Sequence, residues 1–176
     1  MSYPLRLAAC ECLHLSVVQR LCPGGAEYCD VNQMLFQWVM PPNSEPYHLV
    51  NAVLAALREF GIAAEFDSMQ FKVRGARIGT LAGGQRESAS LFLGGVYLSY
   101  DSDSLNQTLR EPIREATTSL WAEASHPFAP EMIQDTLLTH FAHELKRPIE
   151  RDTPRVEETR AAKKIEQTML RVLESE

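Results

Sequence analysis

The apolar residues near the N-terminus recur at helical spacing. Over residues 5–21 they return near a period of 3.6, and Pro23 followed by two glycines is a sequence that ends helices. The pattern therefore predicts a helix over 5–21. Apolar and polar residues also alternate around residues 8–15, as they do in a strand. A strand there would place the side chains of every second residue on the same face.

A second helix is predicted over residues 45–60. Pro46 suits its first turn, the apolar residues that follow form one stripe, and Gly61 comes directly after the last of them. The segment before it, residues 30–40, is short and apolar. Its pattern fits a helix and a strand equally well.

Between residues 62 and 100 the period of the apolar residues changes to two. Alternation and β-forming residues, strongest over 90–100, predict a small antiparallel sheet of three or four strands. Gly83 and Gly84 are expected in a turn. Gly94 and Gly95, inside the strongest strand, predict a bulge or the close approach of another backbone, such as a helix lying across the sheet.

After residue 102 the spacing is helical again. Helices are predicted from residue 103 to about 121 with a kink or a break at Pro112, over 131–146, and from Thr153 to about 173. The pattern as a whole predicts an α+β fold, in which the sheet of residues 62–100 packs against helices from the N- and C-terminal parts.

The length of the chain suggests how it divides into domains. We predict one domain over residues 1–150 and an amphipathic C-terminal helix over 151–176, which docks on that domain or binds a partner.

Charge and composition narrow the possible partners. The chain has 17 Lys and Arg against 23 Asp and Glu, a net charge of −6, so binding of nucleic acid through a general basic surface is not expected. No stretch reaches the roughly 18 apolar residues of a membrane span. The N-terminus lacks the pattern of a signal peptide, which predicts a cytoplasmic location and reduced thiols.

All the cysteines of the chain lie within its first 29 residues. Zinc requires four ligands at tetrahedral corners, and Cys10, His14, Cys22 and Cys29 are a conceivable set, because Cys10 and His14 share a face of a helix. Cys12 would point elsewhere on that helix, and the spacing matches no common zinc finger. The alternative is that the cysteines pack as small apolar residues and that no cofactor is bound.

His140 and Glu144 lie four residues apart on a predicted helix, with His143 next to the carboxylate. Glu144 falls inside the apolar stripe, where a carboxylate is expected to be paired, and His140 is the nearest candidate. The polar pair is either a general acid–base pair, half of a metal site, or a structural ion pair.

The last predicted helix carries a narrow apolar stripe at the 3-4-3 spacing of a two-helix seam: Ala162, Ile165, Met169 and Val172. We predict that this seam binds a partner, which is the chain's own domain, a second copy of the chain or another protein. Trp38 and Met40, just before two prolines, are expected to add an exposed apolar patch.

Two functions remain open at this point. The lack of a phosphate-loop or nucleophile-elbow motif, together with the terminal seam, favours a non-catalytic, cytoplasmic protein–protein interaction protein, such as an adaptor, chaperone, inhibitor or subunit of an assembly. The alternative is a metal-binding domain or small enzyme that uses the cysteine set or the cluster of His140, His143 and Glu144. A ligand-sensing regulator also fits.

Overall fold

The computed structural model describes residues 6–15, 17, 29–85, 88–110, 114–150, 152–160 and 162–163. The elements in chain order are α1 (Leu7–Cys12), β1 (Gln33–Met40), α2 (Tyr47–Glu59), β2 (Glu65–Asp67), β3 (Gln70–Val73), β4 (Ala76–Gln85), β5 (Ser90–Tyr97), α3 (Ser102–Thr108), α4 (Leu120–Ala124) and α5 (Pro130–Leu145). Residues 156–160 and 162–163 are also helical. None of the described helices is long and apolar enough to cross a membrane.

The described strands form one antiparallel sheet in the order β1-β5-β4-β3-β2. The predicted α+β class is confirmed, and the sheet is larger than predicted because residues 33–40 join it as a fifth strand. β1 pairs with β5 along its whole length, from Gln33 opposite Tyr97 to Met40 opposite Ser90. The ambiguous segment 30–40 is therefore mostly strand.

The helix predicted over 45–60 is confirmed as α2, and its end has a clear physical cause. Gly61 has a φ of 77° and donates its N–H to the carbonyl of Arg58, while Ile62 donates to the carbonyl of Leu57. These two bonds form a Schellman motif, which satisfies the last free carbonyls of a helix and favours glycine at the left-handed position.

The core lies between α2, α5 and one face of the sheet. Its buried residues include Leu49, Val53, Leu57, Phe71, Ile78, Leu81, Phe92, Val96, Ile133, Leu137 and Phe141. Trp38 and Met40 pack against this core, so the prediction that they form an exposed patch is wrong. Successive residues of a strand face opposite sides, and it is Leu35 and Val39 that are exposed.

Three further local predictions need correction. The helix predicted over 5–21 ends at Cys12 in the described residues, because the chain turns at His14, whose φ is 55°. Residues 16 and 18–28 lie outside the described part. Gly83 and Gly84 belong to β4 rather than to a turn. The helix predicted from residue 103 to about 121, with a kink or a break at Pro112, is two short helices, α3 and α4. Residues 109–110 and 114–119 between them are not helical, and residues 111–113 lie outside the described residues.

Candidate functional site

The sheet has a second face, opposite the core, which we call the open face. The alternation of the strands, together with the irregular register where Phe71 pairs with Gly79 but Lys72 pairs with Arg77, places these residues on it: Leu35, Gln37, Val39, Lys72, Arg77, Thr80, Ala82, Leu91, Leu93, Gly95 and Tyr97. Leu35 is 47% exposed and Val39 is 70% exposed. Apolar side chains on a solvent-facing sheet are a candidate binding surface.

One end of the open face is apolar and shallow. Val39 lies opposite Leu91, and Leu35 lies opposite Gly95. The Leu35 side chain covers Gly95 so closely that a Cβ at that glycine would lie 2.8 Å from the Leu35 Cδ2 atom. The glycine thus lets Leu35 lie flat against the sheet, and a broad apolar surface results.

The other end of the open face carries two cations. A shift of register between β3 and β4 places Lys72 opposite Arg77. The Arg77 side chain is only 12% exposed, and its guanidinium carbon lies 5.7 Å from the centre of the Tyr97 ring, a cation–π contact. The Nε atom of Arg77 is buried, and within the described residues no hydrogen bond reaches it.

Glu115 reaches both cations. Its Oε1 atom lies 3.7 Å from Nζ of Lys72, and its Oε2 atom lies 4.0 Å from Nη1 of Arg77. The side-chain amide of Gln70 donates a hydrogen bond to Oε2 at 3.0 Å. A buried or half-buried guanidinium needs such a counter-charge.

Glu115 belongs to residues 114–119, a segment that we call the strap. The strap binds the backbone of β4: the N–H of Arg77 donates to the carbonyl of Ala116, and the N–H of Thr118 donates to the carbonyl of Arg77, each at 2.8 Å. The hydroxyl of Thr118 donates to Glu123 at 2.7 Å. The strap is therefore fixed to the strand that carries Arg77.

A polar cleft of about 360 Å³ adjoins the cations. Its lining is rich in hydroxyl groups: Tyr100, Ser102, Asn106, Glu115, Thr117, Thr118, Ser119 and Ala122. Glu115 both lines the cleft and contacts Lys72 and Arg77, so the cleft and the cationic end of the open face adjoin through this one side chain. The arrangement offers an apolar surface, a charged centre and a polar cleft.

The structure does not bring the candidate zinc ligands together in its described part. Cys10 is buried, while Cys29 and His14 are exposed, and Cys22 lies outside the described residues. Because α1 ends at Cys12, Cys10 and His14 do not share a helix face. No group of three or more His, Cys, Asp and Glu side chains in the described ranges is placed to hold a metal ion.

The predicted polar pair of His140 and Glu144 has other partners. His140 Nε2 lies 2.8 Å from a carboxylate oxygen of Glu59 on α2. Glu144 lies 3.6 Å from Nδ1 of His48 and 3.9 Å from Nδ1 of His143. The contacts of His140 with Glu59 and of Glu144 with His48 join α5 to α2, on the core side of the sheet.

The predicted seam lies mostly outside the described residues. Ala162 is helical and exposed, and Ile165, Met169 and Val172 are not described. Lys72, Arg77, Tyr97 and Glu115 are not among the site residues predicted from the sequence. The signal available in the sequence was weak: Lys72 and Arg77 flank the turn residues Arg74 and Gly75, so a hairpin there would have placed both cations side by side.

Solved structures that share this fold include lipoate-protein ligases. A lipoate protein ligase from a bipartite lipoylation system of Thermoplasma acidophilum matches with a TM-score of 0.81 and 19% identity, over 93% of this chain and 71% of that one. Lipoate-protein ligase A bound with ATP matches with a TM-score of 0.82 and 20% identity, over 93% and 72%. P. falciparum LipL1 in complex with lipoate gives 0.72 and 17%, over 85% and 45%.

No protein family model matches the chain, and no curated protein matches it in sequence. Likeness at such low identity establishes the fold, and the chain spans about seven-tenths of the first two ligases. The comparison overturns the hypothesis of a non-catalytic protein–protein interaction protein, because these three structures of the same fold are lipoate ligases or similar proteins. The suggestion of zinc also fails for the described residues, which hold no cluster of metal ligands.

Proposed function

We propose that this chain is a lipoate-protein-ligase-like domain that binds a carboxylic acid with an apolar tail, of the lipoate class, along its open face. The observation that carries the proposal is the placement of Arg77, a nearly buried cation between an apolar surface and a polar cleft. Proteins of this fold that bind lipoate or ATP supply the class of ligand.

The carboxylate of the ligand binds at the cationic end. A guanidinium presents its donors in a planar fork that suits the two oxygens of a carboxylate, and low exposure strengthens such charge-assisted bonds. The buried Nε of Arg77 is a donor that the described residues leave unused. Lys72 supplies a second positive charge from the neighbouring strand.

The apolar tail of the ligand lies against the other end of the open face. There it covers Leu35, Val39, Leu91 and Leu93, of which the first two are strongly exposed. Removing apolar surface from water contributes about 25 cal/mol per Å². Burying a tail of several methylene groups against these apolar side chains therefore favours binding.

The polar cleft takes the nucleotide in this proposal. An oxygen of the bound carboxylate attacks the α-phosphorus of ATP, the bond to pyrophosphate breaks, and an acyl adenylate forms. An amine of a protein acceptor then attacks the acyl carbon, AMP leaves with the electron pair of the broken bond, and the nitrogen loses a proton. Arg77 and Lys72 hold the reacting oxygens, and the hydroxyl-rich lining of the cleft suits a ribose.

Calorimetric titration of the full chain with lipoate and with octanoate tests the proposal. We expect both acids to bind, and Arg77→Gln to weaken binding about tenfold or more, because a charge-assisted contact is lost. Arg58→Gln is the matched control, since Arg58 is an exposed arginine at the end of α2, on the core side. The unfolding temperature of each variant without ligand shows that both remain folded.

Two results contradict the proposal. One is the absence of binding of either acid to the unmodified chain. The other is an equal affinity of the Arg77→Gln and Arg58→Gln variants, which would show that the ligand does not depend on the buried guanidinium. Octylamine, which has the same tail and the opposite charge, is expected not to bind.

A further inference from the structure

The net charge of the cationic end of the open face is lowered by a carboxylate of the strap. Lys72 and Arg77 bring two positive charges, and their side chains are 18% and 12% exposed. Glu115 brings one negative charge within 4.0 Å of each cation. Asp67 also lies 3.6 Å from Lys72, but it is 68% exposed, so solvent screens it strongly. The half-buried part of this end thus carries about one unit of positive charge.

The position of Glu115 is fixed by the backbone of the strap. Two residues that follow it in the chain are held to Arg77, since Ala116 accepts from the Arg77 N–H and Thr118 donates to the Arg77 carbonyl. The amide of Gln70 holds the carboxylate itself. A ligand that binds the cations therefore shares them with Glu115 instead of displacing it.

We infer that Glu115 is a specificity-determining residue, which restricts the site to ligands with a single negative charge. This inference rests on the proposed function, because it concerns the same site. A monocarboxylate with an apolar tail neutralises the remaining positive charge. A dianion with the same tail, such as an alkyl phosphate, brings a second negative charge close to Glu115, where low exposure makes like charges costly.

The test compares octanoate with octyl phosphate, measured by calorimetric titration of the full chain at pH 8, where the phosphate is a dianion. We expect the unmodified chain to bind octanoate about tenfold more tightly than octyl phosphate or better. We expect Glu115→Gln to lower this ratio by about tenfold, because the dianion gains more than the monoanion when the negative charge is removed. Glu131→Gln, at an exposed carboxylate in the first turn of α5, is the control and leaves the ratio unchanged.

The glutamine side chain has the shape of the glutamate and still accepts a hydrogen bond from Gln70, so the variant keeps the strap in place. Glu115→Ala removes the same negative charge with a different side chain and is expected to lower the ratio as well. Octanoate binding with an unchanged ratio in both Glu115 variants overturns the inference and leaves the proposed function standing. Failure of octanoate to bind the unmodified chain overturns the proposed function and this inference with it.

Discussion

At the scale of single residues, Gly94 and Gly95 show how the two faces of the sheet differ. They are neighbours on β5 and face opposite sides, so one lies on the core face and the other on the open face. A Cβ at Gly94 would lie 2.4 Å from the ring of Phe36 and 3.0 Å from Leu81. The space above both glycines is taken by side chains, mainly from β1, rather than by a crossing helix.

We expect Gly94→Ala to destabilise the fold by about 1–3 kcal/mol, because the ring of Phe36 must move within a packed core that also holds Phe141. Gly95→Ala is its matched partner, and we expect a loss below about 1 kcal/mol, because the exposed Leu35 side chain can swing toward solvent. Urea unfolding of both variants measures the difference. Equal losses, or a larger loss for Gly95→Ala, would contradict the assignment of the two faces.

At the scale of elements, the strap is held in place by its backbone bonds to Arg77 and by the hydrogen bond between Thr118 and Glu123. Glu123 accepts the hydroxyl of Thr118 and pairs with Arg74 from the β3–β4 turn. The side chain of Glu123 is 10% exposed and that of Arg74 is 79% exposed. Glu123 therefore holds the strap mainly through the hydrogen bond to Thr118, and the ion pair adds little.

We expect Glu123→Ala to speed amide hydrogen exchange in residues 114–119 by about threefold to tenfold, the effect of one or two lost hydrogen bonds. Arg74→Ala removes only the exposed partner, and its effect is expected to stay below about twofold. Exchange measured by mass spectrometry, with peptides from α5 as an internal reference, compares the two. Unchanged exchange of the strap in Glu123→Ala would show that another contact fixes it.

The elements differ in how well the sequence predicted them. α2 and α5 lie within two residues of their predicted bounds, because an apolar stripe and an early proline mark both, and Gly61 and Pro148 mark where they end. β1 was ambiguous, because its apolar residues face both the core and the open face, so no alternation was visible. The register that resolves it comes from pairing with β5, about 55 residues away in the chain.

The candidate site could not be predicted from sequence patterns either, because it also depends on contacts between residues that are distant in the chain. Its residues come from four strands and the strap, and neighbours such as Lys72 and Glu115 are far apart in the chain. The spacing of residues along the chain relates only residues of one element, and for this reason the predicted pairs were Cys10 with His14 and His140 with Glu144. Both pairs fail to form once the end of α1 and the packing of α2 on α5 are known.

At the scale of the whole molecule, the fold has one covered face and one open face. The helices α2 and α5 bury the first, whereas the second combines exposed leucine and valine side chains with a nearly buried arginine. The open face gives the protein a candidate ligand-binding surface, which the interaction protein predicted from the sequence did not include. The surface proposed to bind a ligand is part of the sheet, and the terminal seam of residues 162–172 stays a prediction.

The central claim is the location of the apolar tail, and a methyl NMR titration of the full chain with octanoate tests it most directly. We expect saturable shifts of the methyl resonances of Leu35, Leu91 and Leu93, which lie on the open face, and little change for Leu49 and Ile133, which are buried beneath the other face. Shifts confined to the core residues or to the helices, or no shifts at all, would contradict binding along the open face.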